Sequence, residues 1–257
     1  MQLNNADFSL SGNGASGIYI AKDNRAPNAH GGINISGTGN VSISGNATEG
    51  AGVKVDIWNN NLTGNSTISG NATGNGSGVD ISGNLSNTTV SGNGTNGSGV
   101  SISGNLTGDA NSSITGNASG SGNGVNISGN ITDGNISGNA TGNGSGVDIS
   151  GNSSLGNTTV SGNGTDGSGV NISGNLTGDA NSSITGNASG SGNGVNISGN
   201  ITDGNISGNA TGNGSGVDIS GNSSLGNTTV SGNGTDGSGV NISGNLTGDA
   251  NSSITGN

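Results

Sequence analysis

One short unit, Gly-Val-x-Ile-Ser-Gly-Asn, recurs through this chain and limits what it can fold into. It occurs at residues 78–84, and its valine returns at positions 100, 125, 147, 170, 195, 217 and 240. Two β-branched residues at i and i+2, with a polar or small residue between them, predict a short strand with one buried face. The Ser-Gly-Asn that follows favours a tight turn. Each copy therefore predicts one strand followed by one corner.

The spacing of these units predicts a solenoid. The valines are 21, 25, 22, 23, 25, 22 and 23 residues apart, so three units make a super-repeat of 70 residues. Each unit also contains a second strand, such as Thr88-Thr89-Val90, and a glycine-rich segment that closes it. A single aliphatic residue follows the first corner, as at Leu85, Leu106, Ile131 and Leu155. We expect an all-β fold, a parallel β-helix (β-solenoid) with rungs of about 21–25 residues.

Stacking of identical rungs predicts two kinds of column along the solenoid. The inward aliphatic columns would contain Val79, Ile81, Val100, Ile102, Val125, Ile127, Val147 and Ile149. The corner asparagines would form a ladder whose side-chain amides bond along the axis, as stacked amides do in cross-β structures. This structural Asn ladder would consist of Asn84, Asn105, Asn130, Asn152, Asn175, Asn200, Asn222 and Asn245.

The chain divides into an irregular and a regular part. Residues 1–58 read as capping rungs of the solenoid, in which Tyr19 and Trp58 pack the first turns. Residues 59–257 read as the regular solenoid repeats. Because the last residues stop in the middle of a repeat, we interpret the sequence as an excerpt of a longer protein.

Composition and charge exclude several functional classes. The formal net charge is −11, and the three cations, Lys22, Arg25 and Lys54, all lie in the first part of the chain. A nucleic-acid partner is therefore not expected, since binding a phosphate backbone needs clustered cations. Apolar runs are too short for membrane insertion by this segment. One Phe, one Trp and one Tyr are too few for a conventional globular core.

We predict no catalytic, cofactor-binding or metal-binding residues, and so no enzyme and no cofactor. Asp80, Asp148 and Asp218 would lie three rungs apart, roughly 14 Å at the spacing of β-strands. Paired acid–base carboxylates lie about 5–9.5 Å apart. The turns carry Asn or Ser where a calcium-binding β-roll needs Asp, and His30 stands alone in a polar segment.

The many Asn-x-Ser/Thr sequons allow two interpretations. A Ser-Gly-Asn corner followed by x-Ser/Thr creates sequons by composition alone, as at Asn84 and Asn105. Alternatively, exposed corners are glycosylated, which adds bulk and protease resistance. We favour the first interpretation because a stacked ladder uses the same amides.

The repeated Gly-Val-Asx-Ile-Ser-Gly-Asn and Thr-Thr-Val-Ser-Gly-Asn units resemble the repeat regions of large bacterial exoproteins exported by type V secretion. These are autotransporter passengers and filamentous-haemagglutinin-like adhesins, and the similarity extends from about Asn34 to the end. The resemblance implies a right-handed β-helix outside the cell that mediates adhesion or aggregation. The chain lacks the Asn-Pro-Asn signature of their secretion domains, which leaves the export route open.

We therefore expect a non-catalytic, extracellular β-helical stalk or adhesive shaft on a bacterial cell surface. Its partner would be a host-cell or bacterial surface ligand, or a second copy of the chain. One alternative is an ice-binding solenoid, suggested by Thr88-Thr89 and Thr158-Thr159, although the matching rungs carry other residues. A further alternative is a polysaccharide-degrading β-helix enzyme, which release of reducing ends from acidic glycans would reveal.

Overall fold

The fold is a parallel β-solenoid, as the sequence predicts. The computed structural model describes residues 2–4, 8–21, 34–36, 40–56, 66–108, 111–179 and 181–257. Regular structure in these ranges consists of β-strands, and three long parallel sheets contain all but two of them. The remaining strands, β1 (Gln2–Asn4) and β4 (Asn34–Ser36), pair with each other. The described ranges contain no helix long and apolar enough to cross a membrane.

The longest strands form an eleven-stranded sheet. Its strands alternate small polar and aliphatic residues, so that in β5 every second residue is buried. Each strand pairs in parallel with the equivalent strand of the next rung. The strands, in order, are β2 (Phe8–Gly14), β5 (Val41–Ala47), β7 (Ser66–Ala72), β10 (Thr88–Gly94), β13 (Ser113–Ala118), β16 (Asn135–Ala140), β19 (Thr159–Gly164), β22 (Ser183–Ala188), β25 (Asn205–Ala210), β28 (Thr229–Gly234) and β31 (Ser253–Gly256).

The recurring Val-x-Ile units form a ten-stranded sheet. Val79 pairs with Val100 and Val100 with Val125, and the isoleucines follow in the same register. All eight residues of the expected aliphatic columns are buried, with at most 1% exposure. The strands are β3 (Ile18–Ala21), β6 (Val53–Asp56), β8 (Val79–Ser82), β11 (Val100–Ile102), β14 (Val125–Ile127), β17 (Val147–Ile149), β20 (Val170–Ile172), β23 (Val195–Ile197), β26 (Val217–Ile219) and β29 (Val240–Ile242).

The third side is an eight-stranded sheet of very short strands. They are β9 (Leu85–Ser86), β12 (Leu106–Thr107), β15 (Ile131–Thr132), β18 (Ser153–Leu155), β21 (Leu176–Gly178), β24 (Ile201–Thr202), β27 (Ser223–Leu225) and β30 (Leu246–Gly248).

The expectation that Leu155 is equivalent to Leu85, Leu106 and Ile131 is wrong. Ser153 pairs with both Ile131 and Leu176, whereas Leu155 lies opposite Gly178. The sequence after this corner is Ser-Ser-Leu, so the aliphatic residue arrives two positions later. A shift of two residues keeps it on the inward face, and both Ser153 and Leu155 are buried.

A glycine in every strand of the eleven-stranded sheet allows the rung to close tightly. Gly162 points inward, and a Cβ on it would overlap the carbonyl oxygen of Gly169, the last residue of the turn before β20. The equivalent pairs, such as Gly92 with Gly99, make the same close approach. The Ser-Gly-Asn of each long strand is therefore not a corner. The strand continues through it, and its glycine is required because a side chain there would not fit.

The irregular first part joins the same sheets as the repeats. Strands β2 and β5 are continuous with β7 in the eleven-stranded sheet, and β3 and β6 are continuous with β8 in the ten-stranded sheet. The expected boundary between residues 58 and 59 lies outside the described residues, as do Trp58, His30, Lys22 and Arg25.

Candidate functional site

The corner asparagines are stacked along one edge of the solenoid, but their bonds differ from those expected. The Oδ1 of Asn84 accepts a hydrogen bond from the backbone N–H of Asn105 at 2.9 Å, and Asn105 does the same for Asn130. Asn152, Asn175 and Asn222 repeat the arrangement with the corner that follows each of them. The bonds of this ladder therefore run from backbone N–H groups to side-chain oxygens. Each bond gives a hydrogen-bond partner to a backbone N–H in a corner between two sheets.

An amide-to-amide ladder occurs instead within the eleven-stranded sheet. Here Nδ2 of Asn117 donates to Oδ1 of Asn93 at 3.0 Å, and Asn187 donates to Asn163 at the same distance. Asn46 makes the equivalent bond to Asn13. Sequence reasoning missed this column because its Ser-Gly-Asn looks like a corner. The sequence signal for this column is the alanine or glycine that follows each of these asparagines. This small residue occupies the next inward position, so the alternation of inward and outward residues continues past the asparagine.

A third polar column runs along the outside of the ten-stranded sheet. Asp148 Oδ1 accepts a bond from Asn171 Nδ2 at 2.8 Å, and its Oδ2 accepts one from Asn123 Nδ2 at 3.1 Å. Asp218 is held in the same way by Asn241 and Asn193. The register separates the two aspartates by three turns. These carboxylates are thus tied into the column by amide donors, in an arrangement suited to joining successive turns.

The outer face of the eleven-stranded sheet presents three parallel polar columns. The first contains Thr, Ser or Asn, as at Thr89, Ser113 and Asn135; the second contains Ser or Thr; the third contains the asparagines described above. The hydrophobic residues between them, such as Val90 and Ile114, are buried. Because the strands are parallel and in register, every turn offers polar side chains at the same three positions, at a spacing of about 4.8 Å.

The paired threonines do not form an exposed double row. Thr88, Thr158 and Thr228 are buried, with at most 1% exposure, while Thr89, Thr159 and Thr229 face outward. Thr88 Oγ1 donates to the carbonyl oxygen of Ser86 at 3.0 Å. The hydroxyls of Thr158 and Thr228 have no hydrogen-bond partner in the described parts of the chain.

A more regular hydroxyl column lies on the eight-stranded sheet. It consists of Ser86, Thr107, Thr132, Ser154, Thr177, Thr202, Ser224 and Thr247, which are consecutive partners across the sheet. All but Ser86 are exposed. Sequence reasoning missed this column because it looked for threonine pairs in the second strand.

The carboxylates of Asp133 and Asp203 bond to the backbone of the next turn of the solenoid. Asp133 and Asp203 adopt positive φ angles of 59°, and each is followed by a glycine. Asp133 Oδ1 accepts a bond from the backbone N–H of Asn157 at 3.1 Å, and Asp203 does the same for Asn227. Within the described ranges, no three His, Cys, Asp or Glu residues are grouped so that they could hold a metal ion.

The first turns carry a cleft that is lined in part by an aromatic side chain. Tyr19, Lys54 and Asp80 are consecutive partners on the outside of β3, β6 and β8. The Lys54 Nζ lies 3.1 Å from Asp80 Oδ2 and 6.0 Å from the centre of the Tyr19 ring. The expectation that Tyr19 packs the first rungs is wrong, since it is 59% exposed. Its position is that of the outward residue between two inward isoleucines, Ile18 and Ile20.

No protein-family model, curated protein or solved structure matches this chain.

Proposed function

We propose that this chain is the extracellular stalk or adhesive shaft of a bacterial surface exoprotein, a right-handed β-helix of the type V secreted class. It acts in adhesion or cell–cell aggregation and is not an enzyme. The observation that supports this most is the outer face of the eleven-stranded sheet, where each turn presents the same three polar positions. A structure that repeats one surface many times is suited to many weak contacts with a repetitive partner.

The proposed mechanism is mechanical and multivalent. Eleven strands at about 4.8 Å give this part of the rod a length of roughly 50 Å. Inter-turn backbone bonds, such as that from Val147 N–H to the Gly169 carbonyl, run along its whole length and make it stiff. Once one face contact forms, its neighbours bind at a high effective concentration, so weak contacts add up.

The proposed partner is a host-cell or bacterial surface ligand, or another copy of the chain. A net charge of −11 disfavours nucleic acid and anionic membrane surfaces as partners. Self-association through the flat face would rely on hydrogen bonds between Asn, Ser and Thr side chains.

Protease shaving of intact cells of the native source tests this proposal. We expect peptides from these repeats to be released from whole cells, while an abundant cytoplasmic protein used as a control stays intact. Beads coated with the purified chain should then aggregate or bind cells more strongly as the number of 70-residue super-repeats increases at constant mass. Recovery of the peptides only after lysis would contradict surface display, and binding independent of repeat number would contradict the multivalent mechanism.

A second candidate is an ice-binding solenoid. The hydroxyl column of the eight-stranded sheet favours it, because Thr107, Thr132 and Thr177 belong to one regular row of exposed hydroxyls. Thermal hysteresis of the purified chain tests this candidate. A freezing-point gap that is lost in Thr132→Lys but kept in Thr185→Lys, on a different sheet, would favour ice binding. The absence of any gap would remove it.

A further inference from the structure

The first turns contain a cleft that differs chemically from the rest of the rod. It has a volume of about 370 Å³, and Tyr19, Lys54 and Asp80 line it together with Ile18 and with small serine, glycine and alanine residues. This volume is at the lower end of the range of about 300–1,000 Å³ that small-molecule sites occupy. Two other clefts, one beside Asn139 and Asn163 and one beside Asn71 and Asn93, have linings of Asn, Thr, Ser, Gly and Ala.

The cleft combines an aromatic surface with a neutral pair of charges. Tyr19 is 59% exposed, and among the described residues the other exposed large hydrophobic side chains are Leu246 and Ile254, in the last turn. Lys54 and Asp80 remain partly exposed, at 41% and 31% of their side chains, although they pair with each other. An ammonium group has three donors and a carboxylate has two acceptor oxygens, so both can also bond a ligand.

Tyr19 and Lys54 begin an outward column that consists of Asp, Ser and Asn from Asp80 onward. The column continues through Ser101, Asn126 and Asp148, and Asp148 accepts a bond from Asn171 in the next turn. Lys54 joins its turn to the next through its bond to Asp80, and its Nζ lies 6.0 Å from the centre of the Tyr19 ring. Tyr19 and Lys54 are 35 residues apart in sequence, yet they lie on adjacent strands, where a ring and an ammonium group stand side by side on the surface.

We propose that this cleft binds a neutral saccharide. The exposed Tyr19 ring offers a flat apolar surface for the C–H face of a sugar ring, while Lys54 and Asp80 offer a donor and an acceptor for vicinal hydroxyls. The charges of the pair cancel, and the negative charge of the whole chain disfavours anionic glycans. This site goes beyond the proposed function and does not depend on where the rod is displayed.

Saturation-transfer NMR on the full chain tests the proposal with four neutral probes: cellotriose, maltotriose, lactose and N,N′-diacetylchitobiose. Digalacturonate serves as the anionic comparison. We expect signal transfer to ring protons of at least one neutral probe and none to digalacturonate. Tyr19→Ala should weaken binding at least about tenfold, whereas Tyr19→Phe, which keeps the ring, should stay within about threefold. Lys54→Met should weaken it by about tenfold through loss of a charged hydrogen bond.

Asn196→Ala provides a matched control, because this residue lies in the same outward column far from the cleft. Its binding should equal that of the parent chain. Circular dichroism of each variant checks that the fold is kept, which we expect because the substituted side chains are on the outside. Absence of transfer to all four neutral probes would overturn the proposal, as would binding that Tyr19→Ala leaves unchanged or binding of digalacturonate alone.

Discussion

Replacing the inward glycine of a long strand by alanine should destabilise the solenoid, although such a change often stabilises a protein. Gly162 stands in the middle of β19, and glycine stands at this register in every strand of the eleven-stranded sheet. An alanine at an unstrained position stabilises by about 0.4–1 kcal/mol because it restricts the unfolded chain. The sign of the effect therefore depends on whether the rung has room for a methyl group.

The geometry at Gly162 leaves no such room. A Cβ there would lie 2.7 Å from the carbonyl carbon of Gly169 and 2.9 Å from Cγ2 of Val170, and would overlap the Gly169 carbonyl oxygen itself. Favourable carbon–carbon contacts begin near about 3.5 Å, so these two contacts alone require the strand and the turn to separate by roughly 0.6–0.8 Å, and the overlap with the oxygen requires a larger separation. Overpacking of this kind costs about 1–3 kcal/mol, which exceeds the gain from the unfolded state.

Urea unfolding of the full chain, followed by far-ultraviolet circular dichroism, measures this effect. Gly162→Ala should lower the free energy of unfolding by about 1–3 kcal/mol. Gly14→Ala is the matched control, because a Cβ at Gly14 meets only the carbonyl oxygen of Ser16 at 3.6 Å, and the next strand has Ala47 at this register. The control should leave stability unchanged or raise it by up to about 1 kcal/mol.

Amide hydrogen exchange shows where the damage lies. The protection of amides around Gly169 and in the neighbouring turns should fall, because each rung is bonded to the next one. A Gly162→Ala chain as stable as the parent, or a loss equal to that of Gly14→Ala, would refute the argument that the close approach of strand and turn requires glycine.

Three further changes test the core, the corner ladder and the buried hydroxyls. Ile149→Ala should lower the free energy of unfolding in urea by about 2–5 kcal/mol because Ile149 is fully buried. Thr132→Ser, which places the residue of the next turn at an exposed outward position, should lower it by less than about 0.5 kcal/mol. Asn175→Ala should lower the free energy of unfolding by about 0.5–1.5 kcal/mol and speed hydrogen exchange of the Asn200 backbone N–H, which donates to Asn175 Oδ1. Asn175→Asp keeps an acceptor oxygen and should therefore retain the protection of that N–H. Thr158→Val should raise the urea midpoint of unfolding, because it removes a buried hydroxyl that has no hydrogen-bond partner among the described residues. The free energy of unfolding should increase by about 1 kcal/mol. Thr88→Val, at the equivalent position with a bonded hydroxyl, should lower it. Equal effects of the two valine substitutions would contradict the assignment of the hydroxyl bonds.

The inward residues of the ten-stranded sheet could be predicted because alternation is a local property. Val79 and Ile81 are two residues apart, so they share a face in any strand, and exact repetition of the unit brings equivalent residues into register. The same reasoning failed at Leu155, because counting residues after a corner does not give the register. That register depends on where the backbone of the neighbouring turn places its donors and acceptors.

The hydrogen bonds of the asparagines could not be predicted from the sequence either. Asn84 and Asn93 both follow Ser-Gly. Asn84 lies in the corner between two strands and bonds to backbone, whereas Asn93 lies within a strand and joins an amide ladder. The difference arises from the residues that follow and from the close approach of the strand glycine to the next turn. Both effects depend on packing between distant segments.

The sequence by itself determined the repeating strand, its buried face and the stacking of one rung on the next. These follow from side-chain alternation and from a repeat of nearly constant length, which are local properties. Only the tertiary structure decided which polar residues form columns and which hydroxyls are buried. It also decided that Tyr19, Lys54 and Asp80 lie side by side. Their meeting depends on turns of different lengths closing onto one axis, and no local pattern encodes that closure.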